Sequence, residues 1–407
     1  MAKNIAAIIA VFILAAVGWM ILGATIMART DTQDRHLREA VGDLWGTPLQ
    51  QNSPVIQLLV SRDVTRDVWD EHVKGYVTKS ETVVDRFPVE LLQGKIQADL
   101  HLDQRQKGLL WYSTYQVHFT GNYVFQETSH RTGDIVVCFS FPAEKGLYDE
   151  FRFEIDGIKV PFRRAEANRV SATIPNTLSA QHTLTIGYVS QGLDTFIYRF
   201  ADGISEVHDF TCVMTTDFNG FDFPSNTLSP TSKQHKSDGW ELTWNYKDLI
   251  TGNGIGVKMP LKLNPGPMAS RISFFAPVSL GFFFFLLFII SILKNVEIHP
   301  INYFFLAAAF FTFHLLLAYL VDHISIHLAF IICSAVSLFL TISYMRLVVG
   351  NRFAFMETAI AQLIYLIGFS YAFFFEGFTG LTITIGSIVT LFVVMQLTGR
   401  TNWQNTN

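Results

Sequence analysis

Residues Ser273–Leu293 read SFFAPVSLGFFFFLLFIISIL, twenty-one positions without a charge. About 20 apolar residues cross a bilayer core. Backbone groups in hydrocarbon must pair within their own segment, so the run is expected as a helix. Four similar runs follow at short intervals: Ile301–Val321, Ile324–Met345, Phe353–Phe375 and Gly377–Leu397. One more, Ile5–Ala28, opens the chain. A cleaved signal peptide is the rival reading of that first run. Its apolar stretch is too long and Ile26-Met27-Ala28 is a poor cleavage site, so an uncleaved anchor is expected.

The averages hide a division. Half of the 407 residues are hydrophobic, 16% are charged, 37 are Phe, and mean hydropathy is +0.30. Charges are sparse from Arg271 onward and ordinary between Arg29 and Leu263. A net charge of −4 argues against a nucleic-acid partner. The three cysteines, Cys138, Cys212 and Cys333, make neither a disulfide scaffold nor a paired metal knuckle. Cys138 and Cys212 fall on strand-like runs, and whether they pair stays open.

Basic residues orient the helices. With alternating spans, Lys3, Lys294, Arg346, Arg352 and Arg400 fall on one side, while the opposite links hold Asp322, His323 and Glu376. Both termini are then cytoplasmic, and the long polar segment lies outside. Thr30–Trp45 reads as an amphipathic helix continuing the first span, a solvated stalk with Leu37, Val41 and Leu44 at helical spacing.

After Pro54 short strand-like runs follow one another: Val55–Val60, Asp134–Phe141, Glu150–Ile155, Leu184–Val189, Thr195–Phe200, Phe210–Thr216 and Glu241–Tyr246. Asp156-Gly157 marks a tight hairpin. Phe218–Pro230 reads as a loop, and Leu263–Pro267 as the hinge into the bundle. Strands without helices between them argue for antiparallel β-sandwich modules. The expected fold is therefore an α+β membrane protein. It has an N-terminal transmembrane anchor (1–28), a large antiparallel β-sandwich-type extracytoplasmic domain (29–270, two modules split near 204), a C-terminal five-helix transmembrane bundle (271–398) and a cytoplasmic tail (399–407).

Candidate functional positions cluster in the spans. His299 and Pro300 start the third, where a proline without N–H is tolerated, and Tyr303 follows near the interface. His314 sits mid-span; an ionisable group there is a functional candidate, although a neutral packing histidine is the plainer reading. Asp322, His323 and His327 mark the outer end. The i, i+4 histidines could face a metal if that turn is helical, whereas a solvated polar turn is the plainer reading. Glu357 can reach the inner interface, paired with Arg352 or Arg346. Phe221, Phe223, Trp240 and Trp244 could line a groove but suit a sandwich core better. No nucleophile elbow, zincin or phosphate-loop motif occurs, so neither catalysis nor a cofactor is expected.

Four stretches resemble the CreD family of bacterial inner-membrane proteins. Asp34-Arg35 through Trp45-Gly46, followed by Pro54 and an apolar strand, is similar to the family's segment after the anchor. His299-Pro300-Ile301-Asn302-Tyr303 resembles its His-Pro-x-x-Tyr link. Phe313–His323 (FHLLLAYLVDH) resembles its Leu-rich helix ending in an acid–His pair. Leu397–Trp403 resembles the closing Thr-Arg-x-x-x-Trp stretch, interrupted here by Gly399. Residues 297–403 and the start carry the likeness. The resemblance implies a role in cell-envelope integrity within a two-component response, and it supplies no catalytic residues. Membrane lipids, and envelope proteins or glycans met by the outer domain, are the implied partners. A transporter or channel, or a membrane-bound envelope enzyme, is the alternative.

Overall fold

The computed structural model describes residues 2–70, 75–107, 110–129, 131–165, 168–176, 180–200, 205–375 and 377–399. It is a mixed α+β structure, and its chain divides into two compact units. One is helical, drawn chiefly from Met1–His36 and Leu263–Asn407; the other, Leu37–Lys107 with Trp111–Lys262, is β-rich.

Among the described residues six helices are long and apolar enough to cross a membrane. They are α1 (Ala2–Trp45), α2 (Pro265–Leu293), α3 (Pro300–Leu320), α4 (Ile326–Val348), α5 (Phe353–Phe374) and α6 (Thr379–Gly399). The breaker cluster is not a hinge but a helix start. Asn264 is the N-cap and Pro265 takes the first helical position, where a missing N–H costs nothing. Aromatic rings fill the helical core: Phe283 meets Phe310 at 4.5 Å and Phe313 meets Phe330 edge-on at 5.3 Å. Small residues bring α1 onto α2, with the Ser270 hydroxyl donating to the Gly23 carbonyl at 3.0 Å.

In the β-rich unit the last turns of α1 are docked rather than solvated. Val41 is buried, Arg38 pairs with Asp194, and the Arg105 guanidinium lies 3.3 Å from the Trp45 ring centre. Only Leu44 of the anticipated apolar stripe stays exposed.

The largest sheet has eight strands in the order Ile158–Lys159, Tyr148–Ile155, Gln181–Leu193, Thr114–Gln126, Leu91–Leu102, Ser205–Thr216, Gly239–Thr251, Ser232–Lys236. A five-stranded sheet runs Arg163–Ala165, Arg169–Pro175, Asp134–Ser140, Val55–Asp70, Gly75–Pro88. A third joins Leu49–Asn52, Thr195–Arg199 and Ile255–Lys258. All of them feed one core, in which Leu58, Val137 and Phe139 are clustered with Phe119, Met214 and Trp244.

Two expectations fail here. A division near 204 does not exist, because Ser205–Thr216 pairs with Leu91–Leu102 inside a single sheet. The alternating Phe210, Cys212 and Met214 of that strand are buried, in one cluster with Tyr123, Phe119 and Tyr198 from the first half of the unit. Nor is the pairing wholly antiparallel: that ladder and the one between Leu49–Asn52 and Thr195–Arg199 are parallel. Asp156-Gly157 does form its hairpin, with φ of +54° and +75°, as a primed turn requires. Cys138 and Cys212 lie in different sheets and are free thiols.

The longest hairpin was not foreseen. Val55–Asp70 pairs with Gly75–Pro88 throughout, but only Val55–Leu59 also pairs with the neighbouring strand. Beyond it the arm is two-stranded, with Trp69 and Tyr76 exposed and their rings 5.4 Å apart.

Gly46 closes α1 at φ +136°, and a Cβ there would lie 2.4 Å from the Gln191 carbonyl oxygen. Gly46→Ala combines a disfavoured backbone with a clash, each costing on the order of 1–3 kcal/mol. The variant is expected to melt several degrees below the parent in thermal scans of the full chain in detergent; equal melting would refute the assigned geometry.

Candidate functional site

The sequence-predicted positions all lie in the helical unit, and they do not converge on one point. His299 is the N-cap of α3, its Nδ1 accepting from the Ile301 N–H at 3.4 Å, and Pro300 is the first helical residue. Tyr303, in the first turn of α3, is buried edge-on to Phe284 at 5.0 Å and hydrogen-bonds Ser291. The neighbouring Asn302 makes a second polar contact, its Oδ1 accepting from the Tyr344 hydroxyl at 2.8 Å.

Glu357 pairs with Lys294 rather than with Arg352 or Arg346. Lys294 caps the C-terminus of α2, and Glu357 stands in the first π-helical stretch of α5, Phe353–Thr358. The Glu357 side chain is 12% exposed, against 46% for Lys294. Its second oxygen, Oε2, has no protein partner.

Asp322 is also committed elsewhere than expected. Arg29 of α1 reaches it at 2.9 Å and donates to the Ala318 carbonyl at 3.0 Å. His323 lies in the turn before α4, and only His327 is on the helix, so the i, i+4 relation places no common face. The His327 ring packs on Phe374 at 5.1 Å. Among the described residues no group of three His, Cys, Asp or Glu could hold a metal ion. Glu376, placed with Asp322 and His323 on the opposite side from the bases, falls outside the described residues.

His314 is 1% exposed. Its Nδ1 contacts the Phe310 carbonyl at 3.1 Å, and Trp19 of α1 stands edge-on at 5.5 Å. Both His314 Nε2 and Trp19 Nε1 are buried without a protein partner. A donor and an acceptor thus share one apolar neighbourhood.

A polar layer crosses three helices. The Gln362 amide donates to Ser337 Oγ at 2.8 Å, and Ser337 donates to the Ala309 carbonyl at 2.7 Å. One turn further along each of the antiparallel α4 and α5 stand Thr341 and Thr358. Both are fully buried, and their hydroxyls, like Gln362 Oε1, lack partners. Most helical hydroxyls here bond back one turn, as Thr312, Ser334 and Thr384 do, the usual way such groups are satisfied. Thr341 and Thr358 depart from that habit, and Thr358 ends a π segment. A second π segment, Leu363–Gly368, follows Gln362. π-bulges of this kind concentrate at functional positions.

The aromatic quartet of the β-rich unit belongs to the core rather than to a groove. Trp244 is fully buried, with Nε1 donating to the Leu228 carbonyl at 2.8 Å. Trp240 donates to Asn219 Oδ1 at 2.9 Å, and Phe221 packs between Trp240 and Phe223.

Residues 222–404 match the family described as inner membrane protein CreD. This stretch is of the CreD family. It takes in the last strands of the β-rich unit and all of α2–α6, so the CreD likeness read from the sequence holds there. No curated protein matches the chain. Among solved structures, one similar to it is a Legionella pneumophila protein described as nutrient-binding. It is 10% identical, with 58% of this chain and 76% of that one covered at a TM-score of 0.33. Another is an M1 zinc metallopeptidase from Deinococcus radiodurans, 14% identical, covering 42% of each chain at a TM-score of 0.26. Likeness this low carries no functional argument.

The Lys294–Glu357 pair sets a testable asymmetry. Lys294→Met leaves a nearly buried carboxylate without its cation, which is costly, whereas removing both charges is tolerated. Lys294→Met is expected to destabilise by about 1–2 kcal/mol, between the ranges for exposed and fully buried pairs. Adding Glu357→Gln should recover most of the loss in detergent melting scans. Equal melting of all three proteins would show the pair to be inconsequential.

Proposed function

We propose that the chain is an inner-membrane protein of the CreD type that supports or senses the state of the cell envelope without catalysing a reaction. The CreD match and the six apolar helices support the membrane assignment. In this reading α1 is an anchor, α2–α6 form a five-helix bundle, and the β-rich unit is a sandwich-type body outside the cytoplasm. Both termini are cytoplasmic.

The observation that carries the orientation is the charge at the helix ends. Lys294 and Arg346 close α2 and α4 on one side, as the positive-inside tendency asks. At the opposite ends Arg29 is neutralised by Asp322. A body anchored at both ends, with its polar pairs used as clamps, suits a structural or sensory role better than turnover. A transporter is the second reading, favoured by the buried layer of Ser337, Thr341, Thr358 and Gln362, since such groups inside a membrane mark solute paths in other proteins.

Cells lacking the gene are expected to release more of a soluble periplasmic enzyme under mild detergent challenge than parent cells. The wild-type gene should restore retention, and so should the His323→Ala/His327→Ala variant. Equal release with and without the gene would refute the envelope role. Failure of the double variant at normal protein level would point instead to chemistry at that turn.

A further inference from the structure

The β-rich unit holds a crevice that none of the preceding roles uses. Its volume is about 340 Å³, inside the range of roughly 300–1,000 Å³ typical of small-molecule sites. It is bounded by the first residues of Val55–Asp70, the turn from Pro88 to Leu91, and the start of Ser205–Thr216. Four rings contribute to its wall: Tyr123, Tyr198, Phe200 and Phe210. Tyr198 stacks on Phe210 at 5.7 Å, and Phe200 meets Phe210 edge-on at 4.8 Å. The Tyr198 hydroxyl donates to that of Tyr123 at 3.3 Å. Burial pushes the Tyr198 phenol up to about 12, so both partners remain neutral hydroxyls.

These rings adjoin the hydrophobic core, and aromatic strand residues are ordinarily just that. Two features set this place apart. Open space remains among rings that elsewhere in the unit close on one another. The charged residues of its lining, Glu90 and Glu206, are both exposed acids, and the lining includes neither Lys nor Arg. His208 also lines it, with Nδ1 at 2.8 Å from Asp248 and Nε2 at 3.8 Å from Glu206. Ring faces carry negative potential and attract cations. Carboxylates at the mouth add to that attraction and repel anions.

We propose that this crevice binds a small free organic cation, a primary or quaternary ammonium, seated against Phe200 and drawn in by Glu90 and Glu206. Phe200 is half-buried and offers the accessible ring, while Tyr198 and Phe210, 1% and 2% exposed, back it from the core. The assignment does not depend on the envelope role, and either can fail alone.

The hydrogen bond to Asp248 raises the His208 imidazole above its ordinary value, with Glu206 and Glu90 adding to the effect. Acidification therefore puts a positive charge beside the mouth. Cation affinity should fall as the pH drops through that range.

The test is calorimetric titration of the full chain in neutral detergent with choline and with putrescine, alongside the neutral carbon isostere of choline. At least one cation should bind saturably. If choline binds, it should do so about tenfold more tightly than its isostere, the scale of a desolvated cation–aromatic contact. Glu206→Gln should weaken binding by about threefold or more without lowering the melting temperature, and Phe200→Ala should weaken it by at least as much. Glu206 is exposed, so its variant stays informative if Phe200→Ala does not fold. Silence from both cations overturns the proposal. So does equal binding of choline and its isostere, which would make the crevice a plain apolar pocket. Choline recognised only as phosphatidylcholine in vesicles would overturn the assignment to a free ligand.

Discussion

The outward apolar surface of six helices is the constraint from which the rest follows. In the most apolar stretch of α1 only 6% of residues are buried within the protein, and in α6 only 11%, against half in α3 and α5. Side chains such as Phe339 and Leu347 are 70% and 79% exposed. Each large apolar side chain left in water forgoes roughly 1.5–3 kcal/mol, and the sum over these faces is far beyond the stability of any folded domain. Hydrocarbon must cover them. That requirement fixes the helical backbone, and it penalises every polar side chain between the helix ends.

Polar groups in the helical unit are disposed accordingly. Two ion pairs stand toward the helix ends, Arg29 with Asp322 and Lys294 with Glu357. Most hydroxyls return to the carbonyl one turn back. The unpartnered oxygens are those of Thr341 on α4 and of Thr358 and Gln362 Oε1 on α5, which alternates there between π and α geometry. An interhelical hydrogen bond like Gln362–Ser337 contributes only about 0.6 kcal/mol on average, so stability alone is a weak reason to keep three unpaired oxygens beside it. The β-rich unit follows other rules. Water takes the outward faces of its strands, and one continuous core holds its sheets together.

Long apolar runs declare themselves because each needs only local information, so the N-terminal and C-terminal helices and the β-rich middle were legible from the residues alone. Pairings between distant segments were not. Nothing in Ser205–Thr216 announces Leu91–Leu102 as its neighbour, which is why a module boundary near 204 looked reasonable. The outer arm of Val55–Asp70 was missed because residues 61–67 (SRDVTRD) are wet on both faces and lack the alternation that a half-buried strand displays. At the helix ends, sequence proximity suggested Arg352 for Glu357, but α2 packs against α5 and brings Lys294 instead. The Thr341 and Thr358 hydroxyls carried no signal, since helical threonines ordinarily satisfy themselves.

The claim beneath all of this is that hydrocarbon covers the six helices while the β-rich unit stands in the periplasmic space. Protease added to intact spheroplasts measures it most directly. The account expects cleavage between residues 49 and 259 from the outside, with the same region protected in inside-out vesicles. Protection in spheroplasts with cleavage in inverted vesicles would contradict it.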